Sequence, residues 1–198
     1  MVRDPRAITA SNYATQEHRY PFLFLGRQWR KLSVLGDMYN SRYDNVYLLK
    51  YEDLIKEPKT VTQNLCEFLE IDFENSLIDH KKFIDGSGQT WLQNSSYDQV
   101  KKGFNKSVLN KWKKVLNKKQ VSFIEGLCFF EMKKLGYKTI YVQSIDDAIN
   151  AIKDFNEVDK GIAAWIKPYV SKNPTSDYLL ETNRIINYNE NCKSDMLY

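Results

Sequence analysis

The run NVYLLK, Asn45 to Lys50, is apolar on both faces of an extended chain. A strand of that kind must be covered on both sides, as happens inside a parallel sheet packed between helices. Tyr51, Glu52 and Asp53 follow at its carboxyl end, where open α/β sheets place ligands. Pro58 can then open a helix in which Val61, Leu65, Phe68 and Leu69 form one apolar stripe. Strand and helix make half of a βαβ unit, so the expected fold class is α/β, with a parallel sheet flanked by helices. The 198 residues, 42% of them hydrophobic, suffice for one sizeable core but not for two full domains.

Other segments read as helices. Asp4 and Pro5 are an N-cap and first helical residue, after which Ala7, Ser11 and Ala14 recur on one small-residue face open to close approach. A second helix is expected from Gly26 to Tyr43, with Trp29, Leu32, Leu35 and Met38/Tyr39 inward. From Phe73 to Lys106 periodicity is weak, and the stretch reads as a long ordered loop. A helix over Ser107 to Leu116 turns Val108, Trp112, Val115 and Leu116 inward. The next opens on a capping pair, Asn117 and Gln120, and carries Val121, Ile124, Cys128, Met132 and Leu135 to a stop at Gly136. Ile145, Ala148, Ile149, Ile152 and Phe155 predict one more amphipathic helix, and the Asn-rich segment from Lys172 to Tyr198 reads as a loosely packed tail.

Net charge is +4, a modest attraction for anions that does not imply a nucleic-acid partner. The excess is local: Lys101, Lys102, Lys106, Lys111, Lys113, Lys114, Lys118 and Lys119 fall in one stretch without an acid. That cluster has one helix's width and few exposed aromatics beside it, which ranks nucleic-acid binding last. Cys66, Cys128 and Cys192 lack CxxC spacing and read as reduced, mostly buried thiols, with a cytoplasmic location expected. No apolar run approaches the ~18 residues of a membrane span, and there is no leader-like N-terminus.

Three motifs carry possible chemistry. In RDPRAITAS, Arg3 precedes a helix N-terminus, where backbone N–H groups favour an anion, and its planar fork suits a phosphate. Ser11 adds a hydroxyl two turns on. A plain Arg–Asp pair with a buried serine is an equally weighted alternative. In NSSYDQVKKG, consecutive serines, Gln99, Lys101, Lys102 and Gly103 can wrap an anion, although by itself a solvated turn explains the string better. Tyr51 reads either as a core cap or as a ring for stacking on a base, and Lys111 as a neighbour of the inward Trp112. His18 and His80 have no triad or metal-ligand spacing. Glu52 and Asp53 read as capping and hydrogen-bonding groups rather than as an acid–base pair.

Taken in order, the segments resemble the downstream half of sulfotransferases that use 3′-phosphoadenosine 5′-phosphosulfate (PAPS). RDPRAITAS resembles the family's 3′-phosphate-binding strand-to-helix motif, which implies that Arg3 and Ser11 hold the phosphate. VYLLKYEDLIKEP resembles the strand with a YED-type ending, implying an adenine contact for Tyr51. SYDQVKKGFNKSVLNKW is similar to the loop and helix start of tyrosylprotein sulfotransferases at Ser96, Asp98, Gln99, Val100, Lys102, Asn105, Leu109, Lys111 and Trp112. It also sets Lys101-Lys102-Gly103 where cytosolic members carry a phosphate-binding triplet. FIEGLCFFEMKKLGY resembles the closing helix of bacterial members. The resemblance covers Arg3 to Tyr137, while NYATQEHRYPF departs from the known branches and leaves the acceptor open.

The resemblance implies a P-loop-like sulfotransferase fold whose first strand, phosphate loop and base lie upstream of Arg3. No G-x-x-x-x-G-K-[ST] occurs here, and Met1-Val2 reads as the end of the strand entering Arg3. A partial sulfotransferase domain is expected over residues 1–140, with an extension over 141–198. The implied co-substrate is PAPS, without a metal, and the partner is an acceptor bearing a hydroxyl group. Arg3, Ser11, Tyr51, Ser96, Gln99, Lys101, Lys102, Gly103, Asn105 and Lys111 would bind the nucleotide, and Ser95 or Ser96 would touch the sulfuryl oxygens. A second reading is a non-catalytic remnant that binds a nucleotide or a partner.

Overall fold

The computed structural model describes residues 1–11, 14, 20–79, 84, 86–89, 104, 106–155 and 174–195, with side chains in the last segment described over 176–187. The chain divides into two compact units, Met1–Arg3 with Gly36–Asn110, and Asp4–Leu35 with Lys111–Tyr198.

The described residues are helical, and the expected parallel sheet is absent from them. What remains is one parallel bridge in the first unit, between Val2 and Lys50. The Val2 N–H donates to the Leu49 carbonyl (2.7 Å) and the Tyr51 N–H to the Val2 carbonyl (2.8 Å). A ladder needs successive residues on both partners. Here each segment turns helical directly after the bridge, one at Pro5 and the other at Tyr51. Residues 46–50 are accordingly half-buried rather than enclosed on both faces.

Around this bridge the first unit holds α3 (Tyr51–Lys56) and α4 (Pro58–Phe68), the latter opening on its proline as the sequence predicts. Ile55 and Cys66 are buried, and the Tyr47 and Phe68 rings lie 5.2 Å apart. The predicted stripe is shifted: Leu69 is 52% exposed and Cys66 is the residue that α4 encloses.

In the second unit, α1 (Pro5–Thr9) is only five residues long, so Ser11 and Ala14 lie beyond it. The divide between units falls within α2 (Phe22–Arg42), whose start belongs to the second. The buried residues of α2 are Leu23, Phe24, Gly26, Trp29 and Ser33, while Leu32, expected inward, is 65% exposed. The face follows the small residues. A Cβ on Gly26 would stand 2.3 Å from Leu127 Cδ2, so the backbone there approaches a core leucine. In place of one helix over 107–116 there is a 3-10 turn (Lys106–Asn110) that belongs to the first unit and a one-turn α5 (Trp112–Val115) in the second, with Trp112 and Leu116 buried but Val115 exposed.

At the centre lies α6 (Lys118–Leu127), started by the predicted Asn117/Gln120 capping box. Cys128 separates it from α7 (Phe129–Lys134), which ends on Gly136 at φ 72°. The Tyr137 N–H closes that end onto the Met132 carbonyl at 2.8 Å, a glycine-dependent stop. Phe123, Ile124, Leu127, Cys128 and Met132 have no exposed surface. Helix α8 (Ile145–Lys153) forms as predicted behind a Ser144/Asp147 capping box and buries Ala148 and Ile152. It crosses α6 so closely that a Cβ on Gly126 would sit 2.8 Å from the Ala148 carbonyl oxygen. Phe155 stacks on Phe123 at 4.0 Å.

The polar C-terminal segment is no tail where it is described: it forms α9 (Pro174–Asp195). Its Tyr178 ring meets Phe123 and Phe155 edge-on, and its acids enter the protein. Arg27 pairs with Asp177 (3.0 Å) and Glu181 (2.6 Å), Arg30 pairs with Glu181, and Arg184 reaches Glu131 (3.1 Å) and the Leu127 carbonyl (2.7 Å). Composition hides such a helix because its buried residues are charged and their partners lie far off in sequence. Cys66 and Cys128 are buried free thiols, as expected, and burial pushes the Cys128 thiol far above its ordinary pKa.

This network fixes an acid response. Burial raises the Glu181 pKa, but hydrogen bonding and charge from Arg30 and Arg27 outweigh it and hold the group below its ordinary 4.5. A depressed carboxylate contributes stability above its unfolded pKa and loses it as pH falls through the folded value. Denaturant titrations from neutral pH downward should show this loss beginning below 4.5, and Glu181→Gln should remove that part of the pH dependence.

Candidate functional site

The RDPR motif splits into two jobs. Asp4 caps α1: its Oδ1 accepts the Arg6 N–H at 2.9 Å, while its carbonyl accepts the Ala7 and Ile8 N–H groups at 3.0 and 3.1 Å. Pro5 has no N–H. The backbone donors of the first turn are therefore satisfied within the chain, and the anion site expected at this helix start is filled by Asp4 itself.

Arg6, not singled out by the sequence reading, is 4% exposed and holds the second unit together. Its Nε and Nη2 clasp the Asp4 carboxylate (2.9 and 2.6 Å), and its Nη1 donates to Glu125 Oε1 at 2.6 Å. Its guanidinium lies over the Trp112 ring, 4.3 Å from the centroid. Burial opposes the charge on Arg6, but Asp4 and Glu125 more than offset it and raise its pKa. Glu125 has no exposed surface and also accepts the N–H groups of Ile140 (2.9 Å), Tyr141 (2.8 Å) and Val142 (3.2 Å). The small-residue face of α1 is occupied too, since Ala7 and Ala10 pack with Trp112, Leu116, Val121 and Ile124. A lone carboxylate in the apolar run VSFIEGLCFF is the signal that could have found Glu125.

Of the predicted nucleotide residues, Arg3 and Tyr51 come together in the first unit. The bridge sets them side by side, and the Arg3 guanidinium carbon lies 4.4 Å from the Tyr51 ring centroid. A guanidinium that stacks by its face still presents N–H groups at its edge, so the pairing suits an arginine that also meets a phosphate. It also covers one face of the ring. Tyr51 begins α3, and the acids after it stand in that helix's first turn.

Ser11 lies in the second unit, where its hydroxyl oxygen accepts the Ala14 N–H at 3.2 Å. Lys111 is exposed at the start of α5, the turn that brings Trp112 against α1. Ser95, Ser96, Gln99, Lys101, Lys102, Gly103 and Asn105 lie outside the described residues.

The two arginines should differ sharply on substitution. Arg6→Ala strands a buried Glu125 and should cost about 3–5 kcal/mol in chemical denaturation. Arg3→Ala removes a half-buried cation–π contact and should cost less than about 1 kcal/mol.

The chain is 24% identical over 148 residues to a Caenorhabditis briggsae protein named "Putative protein-tyrosine sulfotransferase", covering 70% of this chain and 51% of that one. It is 28% identical over 166 residues to Rattus norvegicus carbohydrate sulfotransferase 1, covering 70% of this chain and 38% of the relative. A Caenorhabditis elegans protein of the same name as the first is 24% identical over 169 residues, with 78% and 64% covered. The chain thus spans about half the length of these relatives. No solved structure matches it. The family model described as the sulfotransferase domain matches residues 1–136, and the chain belongs to that family.

Proposed function

We propose that this chain forms the nucleotide-binding side of a sulfotransferase that moves a sulfuryl group from PAPS to an acceptor hydroxyl. The observation that carries the reading is the stacking of Arg3 on Tyr51, because it joins two family motifs some fifty residues apart at one point of the first unit. Arg3 would hold the 3′-phosphate while its guanidinium face stays on Tyr51. By resemblance, Tyr51 would contact adenine. By the same resemblance, Ser96, Gln99, Lys101, Lys102, Gly103 and Asn105 would contact the nucleotide, with Ser95 or Ser96 donating to the sulfuryl oxygens.

The donor supplies an activated sulfuryl group, and the chain's own residues position it and neutralise charge, as in phosphoryl transfer. Cationic and hydroxyl donors of this kind need no metal to hold a phosphate. The acceptor would be a carbohydrate, tyrosine or small-molecule hydroxyl, and two of the relatives are named for the first two classes.

Titration of 3′-phosphoadenosine 5′-phosphate against the chain tests this reading. Binding should raise the melting temperature of the wild type but not that of an Arg3→Ala/Lys102→Ala variant, while Lys153→Ala responds like the wild type. Equal and negligible stabilisation of all three would overturn it.

A further inference from the structure

Arg3 belongs to the first unit through the short segment Met1–Arg3, and the parallel bridge ties that segment down. The Val2 N–H donates to the Leu49 carbonyl and the Tyr51 N–H to the Val2 carbonyl, so the residue before Arg3 is bonded on either side of Lys50. Val2 is itself buried. The backbone leading into Arg3 is therefore held, but its side chain carries as much rotamer freedom as any in a protein.

We propose that Tyr51 is a positioning residue for Arg3: it orients the guanidinium for a 3′-phosphate and thereby sets the preference for a nucleotide that carries one. The inference rests on the function proposed above and gives Tyr51 a task beyond contact with adenine.

The place of the ring follows from backbone bonds and helix packing. Tyr51 opens α3 with its N–H on the Val2 carbonyl at 2.8 Å, and the Leu54 N–H closes the first turn onto the Lys50 carbonyl at 3.2 Å. Ile55, one turn on and on the same side of the helix, is buried and anchors it. The bridge that fixes Arg3 thus also fixes the start of the helix that carries the ring.

The stack supplies what the arginine side chain lacks. Arg3 Cζ lies 4.4 Å from the Tyr51 ring centroid, well inside the reach of a cation–π contact. A guanidinium donates within its own plane, so a ring against its face fixes the plane in which a phosphate can be met by two parallel N–H groups. A carboxylate would hold the group by consuming those donors, as Asp4 and Glu125 do for Arg6. An aromatic face holds it and consumes none. A tyrosine that only touched the base would serve every adenine nucleotide alike, whereas one that orients Arg3 serves those with a 3′-phosphate.

Calorimetry on the full chain with 3′-phosphoadenosine 5′-phosphate and adenosine 5′-monophosphate separates the two tasks. Both probes carry the same adenine and 5′-phosphate, so the ratio of their affinities reports the 3′-phosphate alone. The wild type should prefer the first by at least about tenfold, and Arg3→Ala should lose that preference. Tyr51→Leu should lower it by about threefold or more, while Tyr51→Phe, which keeps the ring, retains it. Adding Tyr51→Leu to Arg3→Ala should change it no further. Melting curves establish that each variant is folded, and Tyr51→Met takes the place of Tyr51→Leu if the latter does not melt cooperatively. A wild type that binds neither probe, or both alike, overturns the function proposed above and this inference with it. A wild-type preference that survives in folded Tyr51→Leu, that Tyr51→Phe loses as fully, or that Arg3→Ala keeps overturns the positioning role.

Discussion

A single buried carboxylate organises the larger unit. Glu125, without exposed surface inside α6, receives one charged hydrogen bond from Arg6 and three backbone N–H groups from residues 140–142. Leaving such a charge unpaired in the interior would cost several kcal/mol, so three segments distant in sequence must meet at it. Helix α1 is drawn to α6 through Arg6, and the chain leaving α7 is turned back across α6 before α8 begins. The capping box of Ser144 and Asp147 then starts α8 where it can cross Gly126.

The same contact explains how RDPR is used. Asp4 satisfies the first turn of α1 and half of Arg6, and Arg6 spends its remaining fork on Glu125 and its face on Trp112. Both are consumed by the fold, whereas Arg3, the residue proposed to hold the phosphate, lies in the other unit and stacks on Tyr51. Four consecutive residues thus join a structural anchor to a candidate ligand contact. Family membership extends across them, since the sulfotransferase match runs over residues 1–136.

Local rules read well from sequence where the signal is local. The Asp4 cap, the Asn117/Gln120 box, the Gly136 stop and the Ile145–Phe155 periodicity all depend on residues within one or two turns, and each is present. The sheet failed because an apolar run specifies burial but not a partner, and the chain pairs at Val2 and Lys50 only before both segments turn helical. Helix α9 was missed because Asp177 and Glu181 are buried by arginines some 150 residues away, a pairing that composition cannot show. In the candidate site, Arg3 and Tyr51 were legible as motifs. The roles of Arg6 and Glu125 were not, since both are polar residues whose burial depends on contacts more than a hundred residues apart.

Hydrogen exchange at the amides of Ile140, Tyr141 and Val142 tests the role of Glu125 most directly. In Glu125→Gln the carboxylate can no longer accept from Arg6 and three N–H groups at once, so protection of these amides should collapse toward that of exposed loops while the interior amides of α4, in the other unit, keep theirs. Wild-type protection at all three amides in a folded Glu125→Gln chain would contradict the account.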